Sequence, residues 1–323
     1  WATLVRHLPR LRFPVRAGMS GNADYRAATL RGQATTGTAA DGALTLREPG
    51  ALTLTLHATA AGRIPIIVAG CRADFVTLVQ ALVHRNEPWP VPASMGAALV
   101  SGSNNWERVA AYRAAWRARG GAPGAAAWAA EFAHLRTCPE HYQDRFMILQ
   151  PGCYSAVAAA TLGLDPTHWR RLSLQIRREH ECTHYFTLRV LGAMRNHLLD
   201  ELIADYAGIV AACGRFRADW FMVFLGIAAA DRYRRGGRLE NYRGEPPLTA
   251  GAMRVLQRVL RQAALAVADF DTRHARARAA PGGQARMLLA LAAQDLASLA
   301  GPQASARLEA AWQAVAVRWT GAP

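Results

Sequence analysis

Between Asp165 and Gly192 the chain writes out both ends of one long helix, and this frame constrains the fold more than any other stretch. Asp165 is suited to cap the first turn, Pro166 fits the first helical position, and Gly192 supplies a stop. A second helix reads from His197 to Cys213 and closes at Gly214. Gly192 and Asn196 bracket the short connection, so the two helices are expected to lie antiparallel.

The first of these helices carries HECTH at 180–184. A chain of this composition contains some H-E-x-x-H by accident roughly one time in a hundred, so the motif needs support from its surroundings. His180 and His184, at i and i+4, project from one helix face and can share a metal ion, with Glu181 beside them as a base for water. A catalytic zinc needs a third protein ligand. His184 precedes Gly192 by eight residues, roughly 12 Å of helix, and Glu201 stands five residues past Asn196, roughly 7–8 Å along the return. Those heights match once the loop is added.

The return helix HLLDELIADYAGIVAAC is apolar on most sides, yet it sets His197, Glu201 and Asp205 on one stripe at four-residue spacing. Acids on a buried face need partners. Asp205 is placed to accept the second ring N–H of a ligand histidine and fix its tautomer. Asp200 is the weaker ligand candidate, because Ala204 follows it one turn later where Glu201 has Asp205. His197 is either a rival ligand, a donor to a transition-state oxyanion, or the cap of its own helix. Tyr185, Tyr206, Tyr242 and Arg243 are further candidate donors, each weighed against ordinary packing.

HECTH followed by ELIAD resembles the gluzincin branch of zinc metallopeptidases, in which H-E-x-x-H is completed by a glutamate within E-x-x-x-D. The resemblance covers about thirty residues. It implies zinc held by His180, His184 and Glu201, Glu181 as general base, and Asp205 orienting a histidine. Val190, six positions after His184, rules out the metzincin variant. The implied function is zinc-dependent hydrolysis of a peptide or protein. By the same resemblance FMIL, 146–149, becomes an edge strand along which an extended substrate lies. The segments VPASMGA, NNWERV and GGRLENYRGE are also similar to a bacterial family of unknown function, with no role attached to them.

Two other function classes compete with hydrolysis. One is a regulatory or binding protein that keeps a metallopeptidase-like fold without turnover, which leaves Glu181 unexplained. The other is nucleic-acid binding, raised by a formal charge of +15. All 38 basic residues counted with lysine are arginines, spread through expected helices apart from runs such as Arg232–Arg235 and Arg273–Arg278, so that reading is disfavoured.

The first hundred residues carry strand signals at 44–46, 51–60 and 63–70, a helix from Cys71 to Arg85, and breaks at NEPWPVPASMG and SGSNN. From Trp106 onward the chain turns helical and alanine-rich. The expected fold is α+β, with a strand-rich region 1–104 and a mostly helical, zincin-like region 105–323, the two being either separate or one continuous domain. Five widely spaced cysteines without C-x-x-C fit a reducing, cytoplasmic setting. No signal peptide opens the chain, and its start at Trp1 without a methionine leaves room for a processed or trimmed N-terminus. The longest apolar run, Trp220–Ala230, is too short to span a membrane.

Overall fold

The computed structural model describes residues 1–33, 43–192, 197–227, 233–234 and 236–320, with only the backbone of 317–320. It is an α+β structure whose four-stranded mixed sheet lies in the N-terminal half and whose C-terminal half is helical. Two compact units are present, one of residues 1–57 and 64–151, the other of 58–63 and 152–323.

In the N-terminal half, α1 (Ala2–His7), α2 (Ala23–Arg31) and α3 (Arg72–Leu82) accompany β1 (Thr53–Thr59), β2 (Gly62–Val68), β3 (Ala97–Asn104) and β4 (Gln143–Leu149), with α4 (Trp106–Ala118) and α5 (Ala125–Leu135) between the last two strands. The sheet order is β1-β2-β4-β3. β4 runs parallel to β2, with Ile67 opposite Ile148, and antiparallel to β3, with Leu99 opposite Met147. Phe75, Leu78, Val79 and Leu82 of α3 bury against Ile67, Val100, Phe146 and Ile148, which spaces apolar residues at helical period on one side and strand period on the other.

This arrangement corrects three expectations. FMIL is a strand, but β4 is paired along both sides and offers no edge to a substrate. β4, supplied from beyond residue 105, fills the inner position between β2 and β3. The stretch SGSNN is mostly strand: the ladder shifts register between Val100 and Ser103, and Gly102 takes the positive φ of the bulge, so turn-forming residues here mark an irregular strand. LTL at 44–46 forms no strand; Leu44 is instead buried in the core under α3.

The second unit is built from α6 (Pro166–Leu191), α7 (Leu198–Cys213), α8 (Ala218–Leu225), α9 (Ala250–Ala279), α10 (Gly283–Ala292), α11 (Leu296–Ala300) and α12 (Ala304–Thr320). Asp165 caps α6 by accepting from Thr167 and His168, and Gly192 ends it in the left-handed conformation. Asn196 lies outside the described residues, as do Arg232 and Arg235 of the expected basic run and Ala228–Ala230 of the apolar one. The α6–α7 pair is antiparallel: His184 faces Glu201, His180 faces Asp205, and Gln175 donates to the Ala211 carbonyl at 2.7 Å. Between these levels Gly208 meets the Ile176 carbonyl so closely that a Cβ there would sit 2.7 Å from its oxygen. Trp169, Tyr206, Phe221, Phe224, Leu260, Phe270 and Trp312 form the core around this pair. No helix of the described residues is long and apolar enough to cross a membrane.

Candidate metal centre

All the groups at this site belong to the second unit. Helical spacing on α6 brings the two imidazoles edge to face, with His180 Nε2 and His184 Nε2 3.1 Å apart. From α7, Glu201 presents Oε1 at 3.6 Å from His184 Nε2 and Oε2 at 3.8 Å from His180 Nε2. One ligand atom from each residue lies within 4.8 Å of the others. Zinc with bonds near 2.05 Å requires tetrahedral donor–donor edges of about 3.3 Å, and the three separations bracket that length. These two nitrogens and a carboxylate therefore fit the ion.

Behind the donors lies a closed polar network. His180 Nδ1 is 2.9 Å from Asp205 Oδ1, and a carboxylate only accepts, so the ring proton sits on Nδ1 and the Nε2 lone pair faces inward. Tyr154 donates to the same Asp205 oxygen at 2.6 Å, while its hydroxyl lies 2.8 Å from His180 Nδ1 and receives Arg238 Nη1 at 2.8 Å. Arg238 also pairs with Asp205 Oδ2 and stands 3.4 Å from Glu201 Oε2. Asp205 is fully buried, and its charge is matched on both oxygens.

These contacts set the protonation states. Burial pushes Glu201 up, but His184, Arg238 and His180 outweigh it and hold the carboxyl below its ordinary range. Asp205 is likewise lowered, burial being overcome by Arg238 and His180. For His184 burial lowers the value, yet Glu201, Glu181 and Asp200 raise it above the ordinary one. Burial and Glu201 push the Tyr242 hydroxyl up, so it stays protonated while hydrogen-bonded to that carboxylate.

Local chain geometry explains how the outlying members arrive. Tyr154 sits in a short 3₁₀ turn, Tyr154–Ala156, fastened to α6 by Ser173, which accepts from its backbone N–H, and by Arg177, which donates to the Gly152 and Cys153 carbonyls. Ser155 and Ala156 both take left-handed φ values near 50°, a conformation that costs a non-glycine residue about 1 kcal/mol or more. Arg238 and Tyr242 come on the 3₁₀ segment Arg238–Tyr242, anchored by the fully buried Leu239. Just before it, Gly237 packs on Gly226 at the end of α8; a Cβ on Gly237 would lie 2.6 Å from the Leu225 carbonyl oxygen.

The sequence-derived residues thus separate into groups. His180, His184, Glu201 and Asp205 come together as expected, and Tyr242 joins them. Glu181 follows on α6, half-buried, its charge acting on His184. His197 caps α7 by accepting from the Asp200 N–H, the most ordinary of its three readings. Tyr206 donates to Asp271 at 2.7 Å in the core, and the Tyr185 hydroxyl accepts from Arg189. Tyr154 and Arg238 were not anticipated. Only the demand of two buried carboxylates for a cation pointed towards an arginine such as Arg238, and nothing local in PGCYSA marks Tyr154.

Against known proteins, a family of unknown function (DUF7005) matches residues 1–303. No curated protein and no solved structure matches the chain.

Proposed function

We propose that this chain, which belongs to the family of unknown function DUF7005, is a zinc-dependent hydrolase of the gluzincin kind acting on peptides. The observation that carries the reading is the meeting of three donor atoms from two helices at separations suited to one ion, with Asp205 fixing the tautomer of His180. His180, His184 and Glu201 would hold the metal. When bound, zinc supplies a Lewis acid for a carbonyl oxygen and lowers the pKa of water towards about 7.

The remaining work falls to the protein. Glu181, half-buried and next to the first histidine, takes a proton from the attacking water and passes it to the leaving amine. Asp205 keeps the His180 proton on Nδ1, so that Nε2 remains a donor of its lone pair. Arg238 neutralises part of the charge of Glu201 and Asp205, which lets two acids sit side by side in a buried place. Tyr242, kept protonated, is an O–H donor beside the ligand carboxylate and is the candidate to steady a developing oxyanion.

The test is metal content followed by turnover. Protein made with added zinc and purified without a nickel column should carry one equivalent, and His184→Ala should carry none. Less than about a tenth of an equivalent in the wild type would remove the proposal, given the affinity a three-ligand site confers. Glu181→Gln should retain zinc while cleavage of a mixed peptide library falls roughly a hundredfold or more. Equal cleavage by both proteins would point to a contaminating protease.

A further inference from the structure

A cleft in the first unit has a chemistry of its own. It encloses about 510 Å³ among α2, α4 and α5, a volume in the range of small-molecule sites. One wall is aromatic: Phe132 stands between Trp106 and Trp128, with ring centroids 6.2 and 5.8 Å away and planes tilted by only 34° and 33°. The Trp106 indole is fixed by its N–H donating to the Thr29 carbonyl at 3.1 Å. The other lining is basic, with Arg31, Arg113 and Arg117, and no aspartate or glutamate lines the cleft.

These arginines are not spent on carboxylates among the described residues. Arg31 donates to the neutral amide of Gln33. Arg113 lies over the Trp128 ring at 5.0 Å, and its buried Nε has no hydrogen-bond partner among the described residues. The nearby acid Glu131 is taken up by the Tyr112 hydroxyl at 2.5 Å. A buried donor without an acceptor is rare in a folded protein and is commonly answered by a ligand or water.

We propose that this cleft binds a small organic anion made of a planar ring and a phosphate group, of the mononucleotide type. The aromatic wall takes the ring by ring–ring contact against its tilted indoles and phenyl. The guanidinium edges take the phosphate, whose charge of nearly −2 and three accepting oxygens answer several arginines where a single carboxylate would answer one. A nucleic-acid strand fits less well, because it needs successive stacking positions along an open groove, whereas this wall and volume serve a single nucleotide.

Calorimetric titration of the full chain with AMP, CMP and flavin mononucleotide tests the proposal. At least one should bind with one-to-one stoichiometry, while adenosine, ribose 5-phosphate and inorganic phosphate each bind at least tenfold more weakly. Arg113→Gln should weaken nucleotide binding at least tenfold. Arg117→Gln, at an exposed position, should weaken it several-fold with an unchanged melting temperature. Three results overturn the proposal: none of the nucleotides binds at 1 mM (roughly the weak limit of specific affinity), binding is indifferent to both substitutions, or inorganic phosphate binds as well as the nucleotides. A dT12 oligonucleotide that binds a hundredfold more tightly than any nucleotide, and loses affinity in the same variants, would replace the small ligand by a strand.

Discussion

At the level of single residues, the centre is a balance of protons as much as of distances. His184 is held above its ordinary value of 6.5, because Glu201, Glu181 and Asp200 outweigh the effect of burial. Its protonation therefore contributes stability to the metal-free protein that is fully present below about pH 6.5 and is lost as the pH rises through the folded value. Glu201 and Asp205, held low, contribute stability that is present above about pH 4 and lost as the pH falls through their folded values. The metal-free melting temperature should thus be highest between these limits and decline towards pH 8. Zinc must displace the His184 proton, so its affinity should rise over the same interval and its binding at pH 6.5 should release a proton, measured as a buffer-dependent heat. A metal-free protein that keeps gaining stability up to pH 8, with no proton released, would contradict this assignment. Ligand identity is separable by substitution. Glu201→Gln should lose zinc, whereas His197→Ala should keep it and cost about 1 kcal/mol for the missing helix cap.

At the level of elements, the ligands occupy facing helices, so the distance between α6 and α7 fixes the distance between donors. Gly208 permits that distance. Gly208→Ala places a methyl 2.7 Å from the Ile176 carbonyl oxygen and should destabilise the protein by about 1–3 kcal/mol, measured by urea unfolding. It should also weaken zinc binding although it touches no ligand; unchanged affinity would show that the pair absorbs the methyl elsewhere. These two helices were also the most legible part of the chain. Asp165, Pro166, Gly192 and Gly214 are local signals whose effects are set within a turn of helix, and a rise of about 1.5 Å per residue converts sequence spacing into height. The rest of the centre was less legible because Tyr154 and Arg238 arrive from separate 3₁₀ segments, and only the folded chain brings them to Asp205. The place of β4 in the sheet was hidden for a similar reason. An apolar run of seven or fewer residues does not state how many neighbours it will pair with.

At the level of the whole molecule, the family match ends at residue 303, and α12 begins directly after it. That helix is nevertheless part of the core. Leu308 is fully buried, Trp312 is almost so and packs on Phe270 and His274, and Arg286 donates to the Trp312 carbonyl. Trp312→Ala should cost about 3–5 kcal/mol in equilibrium unfolding, and removal of 304–323 should yield insoluble protein. A truncated chain that stays soluble with unchanged stability would place α12 outside the folding unit. The central position of β4 has a different consequence, which concerns synthesis. Its partners β2 and β3 leave the ribosome first, and β2 waits for roughly eighty residues to be added before its inner edge is covered, a delay of several seconds at about 5–20 residues per second. During that interval Ile66, Ile67 and Val68 stand on an open strand edge, so the nascent chain needs a chaperone most between the emergence of β2 and that of β4.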